Sequence, residues 1–123
     1  MAKQKILVVD DEPHMIELER AILESEGFEV MAASGGAEAL EMLKTVKPAL
    51  VLLDMMMPVM SGREVCEKIR TNPKTKDLKV IFVTVARFSE IGKKILADMK
   101  VSDYVTKPFD NADFVRRVKK ALA

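Results

Sequence analysis

The sequence predicts an α/β fold of five βα units, a parallel five-stranded sheet between two layers of helices. Five short apolar or β-branched runs alternate with amphipathic stretches along the whole chain. The first, third and fourth runs lack inside–outside alternation, as strands buried on both faces of a parallel sheet do. Reactive side chains also close these runs in order: Asp10 and Asp11, then Asp54, then Thr84, with Lys107 after the fifth. A length of 123 residues fits one domain, residues 1–123, large enough to bury a core.

The elements follow in order. Ile6-Leu7-Val8-Val9 forms the first strand, and Pro13 suits the opening turn of a helix whose inner face is expected from Met15, Leu18 and Ile22. Phe28-Glu29-Val30-Met31 is the second strand, followed by a helix turned inward on Leu40 and Leu43. Leu50-Val51-Leu52-Leu53 runs into Asp54, and Ser61 with Glu64 has the capping-box spacing that opens a third helix on Val65 and Ile69. Val80-Ile81-Phe82-Val83 leads to Thr84 and then to a fourth helix on Ile91, Ile95 and Met99, which Gly92 weakens. Tyr104-Val105 is the last strand. Beyond Lys107-Pro108, Asp110 and Asp113 place negative charge at a helix start, flanked by Phe109 and Phe114 at staple spacing. Phe114, Val118 and Ala121 share that helix's inner face.

Composition narrows the function classes. An apolar fraction of 49% and a charged fraction of 32% are those of an ordinary soluble protein, and a net charge of +1 gives no reason to expect nucleic acid or membrane as partner. The single cysteine, Cys66, rules out an internal disulfide and is expected on a helix's inner face. No apolar run approaches the roughly 20 residues that span a bilayer, and no signal-peptide core precedes the first strand, so a cytoplasmic location is expected. Residues 87–123 carry a balance of +4 and residues 1–86 one of −3. That asymmetry fits either a solvated face complementing helix dipoles or a surface for an acidic protein.

The strand-end residues suggest one chemistry. Three carboxylates brought together repel, and Asp10, Asp11 and Asp54 stay ionised most simply around an oxygen-loving divalent cation such as Mg²⁺. The Thr84 hydroxyl and the Lys107 ammonium are donors suited to phosphoryl oxygens, and Asp54 is the best-placed nucleophile for an acyl phosphate. With strand order 2-1-3-4-5 the ligand crevice lies beyond the carboxyl ends of strands one and three, where Asp10, Asp11 and Asp54 stand. Taken singly, each has a plainer role. Asp10 and Asp11 could cap the first helix, Thr84 could be a β-branched strand residue, Lys107 a solvated loop lysine, Tyr104 a core ring and His14 an exposed helix position.

Together, Val9-Asp10-Asp11-Glu12-Pro13, Leu53-Asp54-Met55-Met56-Met57-Pro58 with Gly62, Val83-Thr84, and Asp103-Tyr104-Val105-Thr106-Lys107-Pro108-Phe109 resemble a response-regulator receiver domain of two-component signalling, over the whole chain. The resemblance, including to single-domain receivers of the chemotaxis type, implies a flavodoxin-like (βα)5 fold. It implies that Asp54 accepts a phosphoryl group from a sensor histidine kinase, a histidine phosphotransfer protein or a small phosphodonor. Such a protein is a phosphoacceptor that catalyses its own phosphorylation and dephosphorylation rather than an enzyme with a separate substrate. Asp11, Asp54 and the backbone carbonyl of Met56 would hold Mg²⁺, or Mn²⁺ in its place, with Asp10 acting mostly through water. Thr84 and Lys107 would bind phosphoryl oxygens, and Tyr104 would be the switch aromatic. The output surface would be the face of helix four, strand five and helix five, meeting a partner protein or an effector domain, without direct nucleic-acid binding or membrane attachment.

Three positions depart from the family pattern. Val85 stands where a very small residue is common. Met56 and Ala86 stand where polar groups often orient the hydrolytic water, which predicts slow self-dephosphorylation. Lys100-Val101 occupies a turn where glycine is frequent, and with Gly92 it predicts a marginal fourth helix. Two other classes share parts of the pattern. An aspartyl-nucleophile phosphatase or phosphotransferase would need a substrate pocket that this length hardly allows, and a flavin-binding module would need a phosphate cradle where the chain has Asp-Asp-Glu.

Overall fold

The computed structural model describes residues 3–85, 94 and 97–123. Five parallel strands, β1 (Lys5–Val9), β2 (Glu29–Ala33), β3 (Leu50–Leu53), β4 (Lys79–Thr84) and β5 (Asp103–Thr106), form one sheet in the order β2-β1-β3-β4-β5. Helices α1 (Pro13–Ser25), α2 (Gly36–Met42) and α3 (Gly62–Thr71) and a C-terminal helix (Asn111–Leu122) cover it. Of the fourth predicted helix, Ile91, Gly92 and Ile95 lie outside the described residues; Lys94, Ala97 and Asp98 are helical, and Met99 is placed in the core.

The unbroken apolar runs are central strands for the expected reason. All four residues of β3 are buried, as are Ile6 to Val9 of β1 and Val80 to Thr84 of β4, because helices pack on both faces. Side chains alternate between two cores. Leu7, Val9, Val51, Leu53, Val80 and Phe82 face α2 and α3, whereas Ile6, Val8, Leu50, Leu52, Ile81 and Val83 face the side with Leu23, Phe114 and Val118. The register Val9↔Leu53 and Leu53↔Phe82 brings the carboxyl ends of β1, β3 and β4 level.

The helix starts behave as their sequences predict. Ser61 caps α3 by accepting the Glu64 N–H at 3.2 Å, and Asp110 caps the C-terminal helix by accepting the Asp113 N–H at 2.9 Å. The Phe109 and Phe114 rings stack with centroids 4.5 Å apart, completing the staple. Helix α1 differs in two respects. Its N-cap is Glu12 and makes no side-chain cap bond, so Asp10 and Asp11 are not its caps. Its inner face also runs through Ile16, Glu19 and Leu23; Leu18 is 41% exposed. The helix ends in a left-handed turn at Gly27 (φ 92°), with the Phe28 N–H bonded to the Leu23 carbonyl at 3.1 Å.

Arg70, at the end of α3, ties two loops together. Its guanidinium donates to the carbonyls of Lys76 and Leu78 before β4 and to those of Met99 and Lys100 before β5, at 2.7 to 3.2 Å. Lys100 there takes φ 56°, the left-handed conformation that glycine adopts most readily. Cys66 is fully buried on the inner face of α3, as expected, and burial pushes its thiol up.

Candidate functional site at the carboxyl edge of the sheet

Backbone bonds to neighbouring strands hold the strand-end residues in place. The Asp10 N–H bonds the Ala33 carbonyl at 3.2 Å, the Asp54 N–H bonds the Val9 carbonyl at 3.0 Å, and the Lys107 N–H bonds the Thr84 carbonyl at 2.9 Å. The sheet's own ladder therefore carries Asp10, Asp54, Thr84 and Lys107 to one edge. After Asp54 the chain turns back so closely that the position of Gly62 admits no side chain. A Cβ there would stand 2.1 Å from the Asp54 carbonyl oxygen. The Gly62 N–H closes this turn on the Met55 carbonyl at 3.0 Å.

The side chains converge. Lys107 Nζ lies 2.6 Å from Asp10 Oδ2 and 3.3 Å from Asp54 Oδ2, and all three groups are buried. The other oxygens are used locally: Asp10 Oδ1 accepts the Glu12 N–H at 2.9 Å, and Asp54 Oδ1 accepts the Met56 N–H at 3.1 Å. Carboxylate oxygens of Asp10, Asp11 and Asp54 all lie within 4.8 Å of one another, with Asp11 exposed. Thr84 is fully buried at the end of β4. Lys107 is thus a buried ion-pair partner and not a solvated loop lysine. Burial opposes its charge, but the bond to Asp10 and the nearby Asp10 and Asp54 carboxylates outweigh this and hold its pKa above the usual lysine value.

This set of oxygens suits a hard divalent ion: three carboxylates within reach of one another, one facing solvent where an ion would arrive hydrated. Met56 is 61% exposed beside them, and Val85 is equally exposed just beyond Thr84. Ala86 lies outside the described residues. Tyr104 is half-buried against the α2/α3-side core, and His14 is exposed on α1, apart from the carboxylate cluster.

Glu19 is the residue sequence periodicity missed. It is 2% exposed on α1, and its carboxyl is pushed up to about 8, first by burial and then by Asp10; Asp54 adds to this and Lys107 opposes it. The available signal was its spacing of three and four from Ile16 and Leu23, an apolar face with one carboxyl in it. Its charge state is coupled to the strand-end pocket.

A family model described as response regulator receiver domain matches residues 6–119. The alkaline phosphatase synthesis transcriptional regulatory protein PhoP of Bacillus subtilis (strain 168) is 40% identical over 119 residues, covering 97% of this chain and 48% of the relative. The chain thus spans about half the length of that curated relative. Among solved structures, the Vibrio cholerae chemotaxis protein CheY4 superposes with a TM-score of 0.92 at 26% identity, covering 98% of this chain and 100% of that one. The Thermotoga maritima response regulator TrrA, solved in complex with Mg²⁺-BeF, superposes with a TM-score of 0.83 at 39% identity, covering 97% and 99%.

Proposed function

Because the chain belongs to the response regulator receiver domain family of two-component signalling, we propose that Asp54 accepts a phosphoryl group in a Mg²⁺-dependent step. The donor is the phosphohistidine of a sensor histidine kinase or a histidine phosphotransfer protein in the cytoplasm, or a small phosphodonor. One observation supports this most: a buried ammonium, Lys107, bridging Asp10 and Asp54 inside a cluster of three carboxylates.

In the step, an Asp54 carboxylate oxygen forms a bond to phosphorus while the phosphorus–nitrogen bond to the donor imidazole breaks and its electron pair leaves with the imidazole. Lys107, already 3.3 Å from Asp54 Oδ2, moves its hydrogen bond to a phosphoryl oxygen, and the Thr84 hydroxyl donates to another. Asp10, Asp11, Asp54 and the Met56 carbonyl would hold Mg²⁺, or Mn²⁺ in its place. The ion supplies charge neutralisation of the attacking and transferred oxygens. Asp10 keeps Lys107 in place through the 2.6 Å bond. Drawn toward the phosphoryl group, Thr84 frees space into which Tyr104 turns, changing the output face. A groove of about 410 Å³ bounded by Tyr104, Phe109, Asp113 and Arg117 lies on that face for a partner protein or effector domain.

Acetyl phosphate with Mg²⁺ should raise the protein's mass by one phosphoryl group, and Asp54→Ala should abolish the increase. An unmodified wild type, tested also with phosphorylated histidine kinase, overturns the assignment. Hydrolysis should be slow, since neither Met56 nor Ala86 orients water. Met56→Asn combined with Ala86→Glu should shorten the phosphoryl lifetime about a hundredfold, the lower end of the roughly 10²–10⁴ range of positioned proton-transfer groups. An unchanged lifetime sinks that explanation.

A further inference from the structure

The opposite edge of the sheet carries a second concave surface that phosphoryl chemistry does not use. Two contiguous grooves, of about 360 and 210 Å³, run between the ends of α2 and α3 and the loops leading into β3 and β4, sharing Leu43, Lys44, Lys74 and Thr75. Their floor includes Leu40, Leu43 and Leu78, half-buried side chains packed on the core. Their rim carries Lys44, Lys47, Lys68 and Lys74 against one acid, Asp77.

The charge is concentrated against its surroundings. Residues 1–86 have an overall balance of −3, yet four lysines meet here. Lys44 pairs with exposed Glu41 at 2.9 Å; Lys47, Lys68 and Lys74 make no ion pair among the described residues. Lys68 stands in the last turn of α3, where it complements the helix dipole, but Lys44, Lys47 and Lys74 lie beyond the helix ends, where that effect fades.

One wall is pre-formed. Thr75 Oγ1 donates to the Ile69 carbonyl at 2.8 Å, the Leu78 N–H bonds the Thr75 carbonyl at 2.9 Å, and Arg70 anchors the Lys76 and Leu78 carbonyls. A partner would bind without having to order this loop.

We propose that this groove docks an acidic amphipathic peptide segment of a partner protein, apolar side chains on the leucine floor and carboxylates on the lysine rim. The other anionic partners fit less well. Among the described residues no aromatic or arginine side chain lines the groove to stack nucleic-acid bases, and a concave surface with recessed leucines does not insert into a lipid interface. The proposal is independent of the Asp54 chemistry at the other edge.

The test uses the whole chain and a fluorescent synthetic peptide of about four helical turns, glutamate and leucine placed on opposite faces, with a glutamine-for-glutamate peptide as control. Saturable amide shifts should centre on Leu43, Lys44, Lys74 and Thr75. Replacing Lys44, Lys47, Lys68 and Lys74 by Gln should weaken binding about tenfold or more, as should the glutamine peptide and raised salt. Lys74→Glu alone should weaken it several-fold, giving a second arm should the fourfold variant fold poorly. Shifts centred on the C-terminal helix, or an affinity indifferent to the lysines, overturn the proposal. So does stronger lysine-dependent binding to phosphatidylserine vesicles or to a single-stranded oligonucleotide.

Discussion

The two sides of the sheet are constrained by different physics. On one side, α2 and α3 bury only small or apolar residues: Gly36, Ala39, Gly62, Val65, Cys66 and Ile69. On the other, α1 buries a carboxyl, Glu19, next to Leu23. The α3 side positions Asp54 by exclusion of volume, since Gly62 leaves no room for a single extra carbon. The α1 side is tied to the same pocket through charge, since Asp10, Lys107 and Asp54 all influence Glu19. A pocket set between these layers has its shape determined by one, and its charges help hold the proton on a carboxyl of the other.

The largest effect should come from the steric side. Gly62→Ala places a Cβ against backbone atoms of Asp54 and Met55 that cannot swing away. It should cost about 4 kcal/mol in urea unfolding, at the severe end for overpacking, and reduce phosphorylation of Asp54. A loss under about 1 kcal/mol would show that the loop yields and that exclusion does not position Asp54.

Next in size is the charge side. The Glu19 carboxyl titrates near 8 folded and near 4.5 unfolded. Above pH 4.5 the unfolded chain gives up this proton first, so the group's favourable contribution is whole below 4.5, declines as pH rises to about 8, and is flat beyond. At pH 7 the deficit is roughly 3 kcal/mol, at about 1.4 kcal/mol per pH unit. With chelator present, Glu19→Leu should gain stability of that order at pH 7, and Glu19→Gln should flatten the decline between pH 5 and 8. A wild-type slope retained in both variants would break the contrast between the two sides.

The smallest effect probes steric constraint from the other direction. Lys100 holds φ 56° at the turn before β5. Lys100→Gly should gain about 0.5 kcal/mol, the relieved left-handed strain exceeding the added unfolded-state entropy. Thermal unfolding showing a loss would mean that side-chain contacts of Lys100 outweigh its backbone strain.

Much of this was legible in the sequence because hydrophobic pattern and turn chemistry agreed. The unalternating runs at Ile6, Leu50 and Val80 became central strands, the Ser61 and Asp110 caps formed, and the strand-end Asp10, Asp11, Asp54 and Lys107 met as the topology required. The inner face of α1 was misphased because Glu19 occupies a core position, and periodicity assigns carboxylates to solvent. Only three-dimensional proximity to Asp10 and Lys107 gives that carboxyl meaning. The depth of Lys107 was equally hidden, since a lysine before proline looks the same in sequence whether it faces water or two aspartates.

Arg70 has a consequence for building hybrid receivers. Its four carbonyl partners lie in two separate loops, so it acts as a clasp between the entrances to β4 and β5. A chimera that exchanges everything from β4 onward while keeping a foreign α3 would sever that clasp even with every swapped residue intact. Lysine could not repair it, because three donors on a single nitrogen cannot span a fork's worth of acceptors. The natural seam for recombination therefore falls before α3, and Arg70 should travel with the half of the protein it fastens.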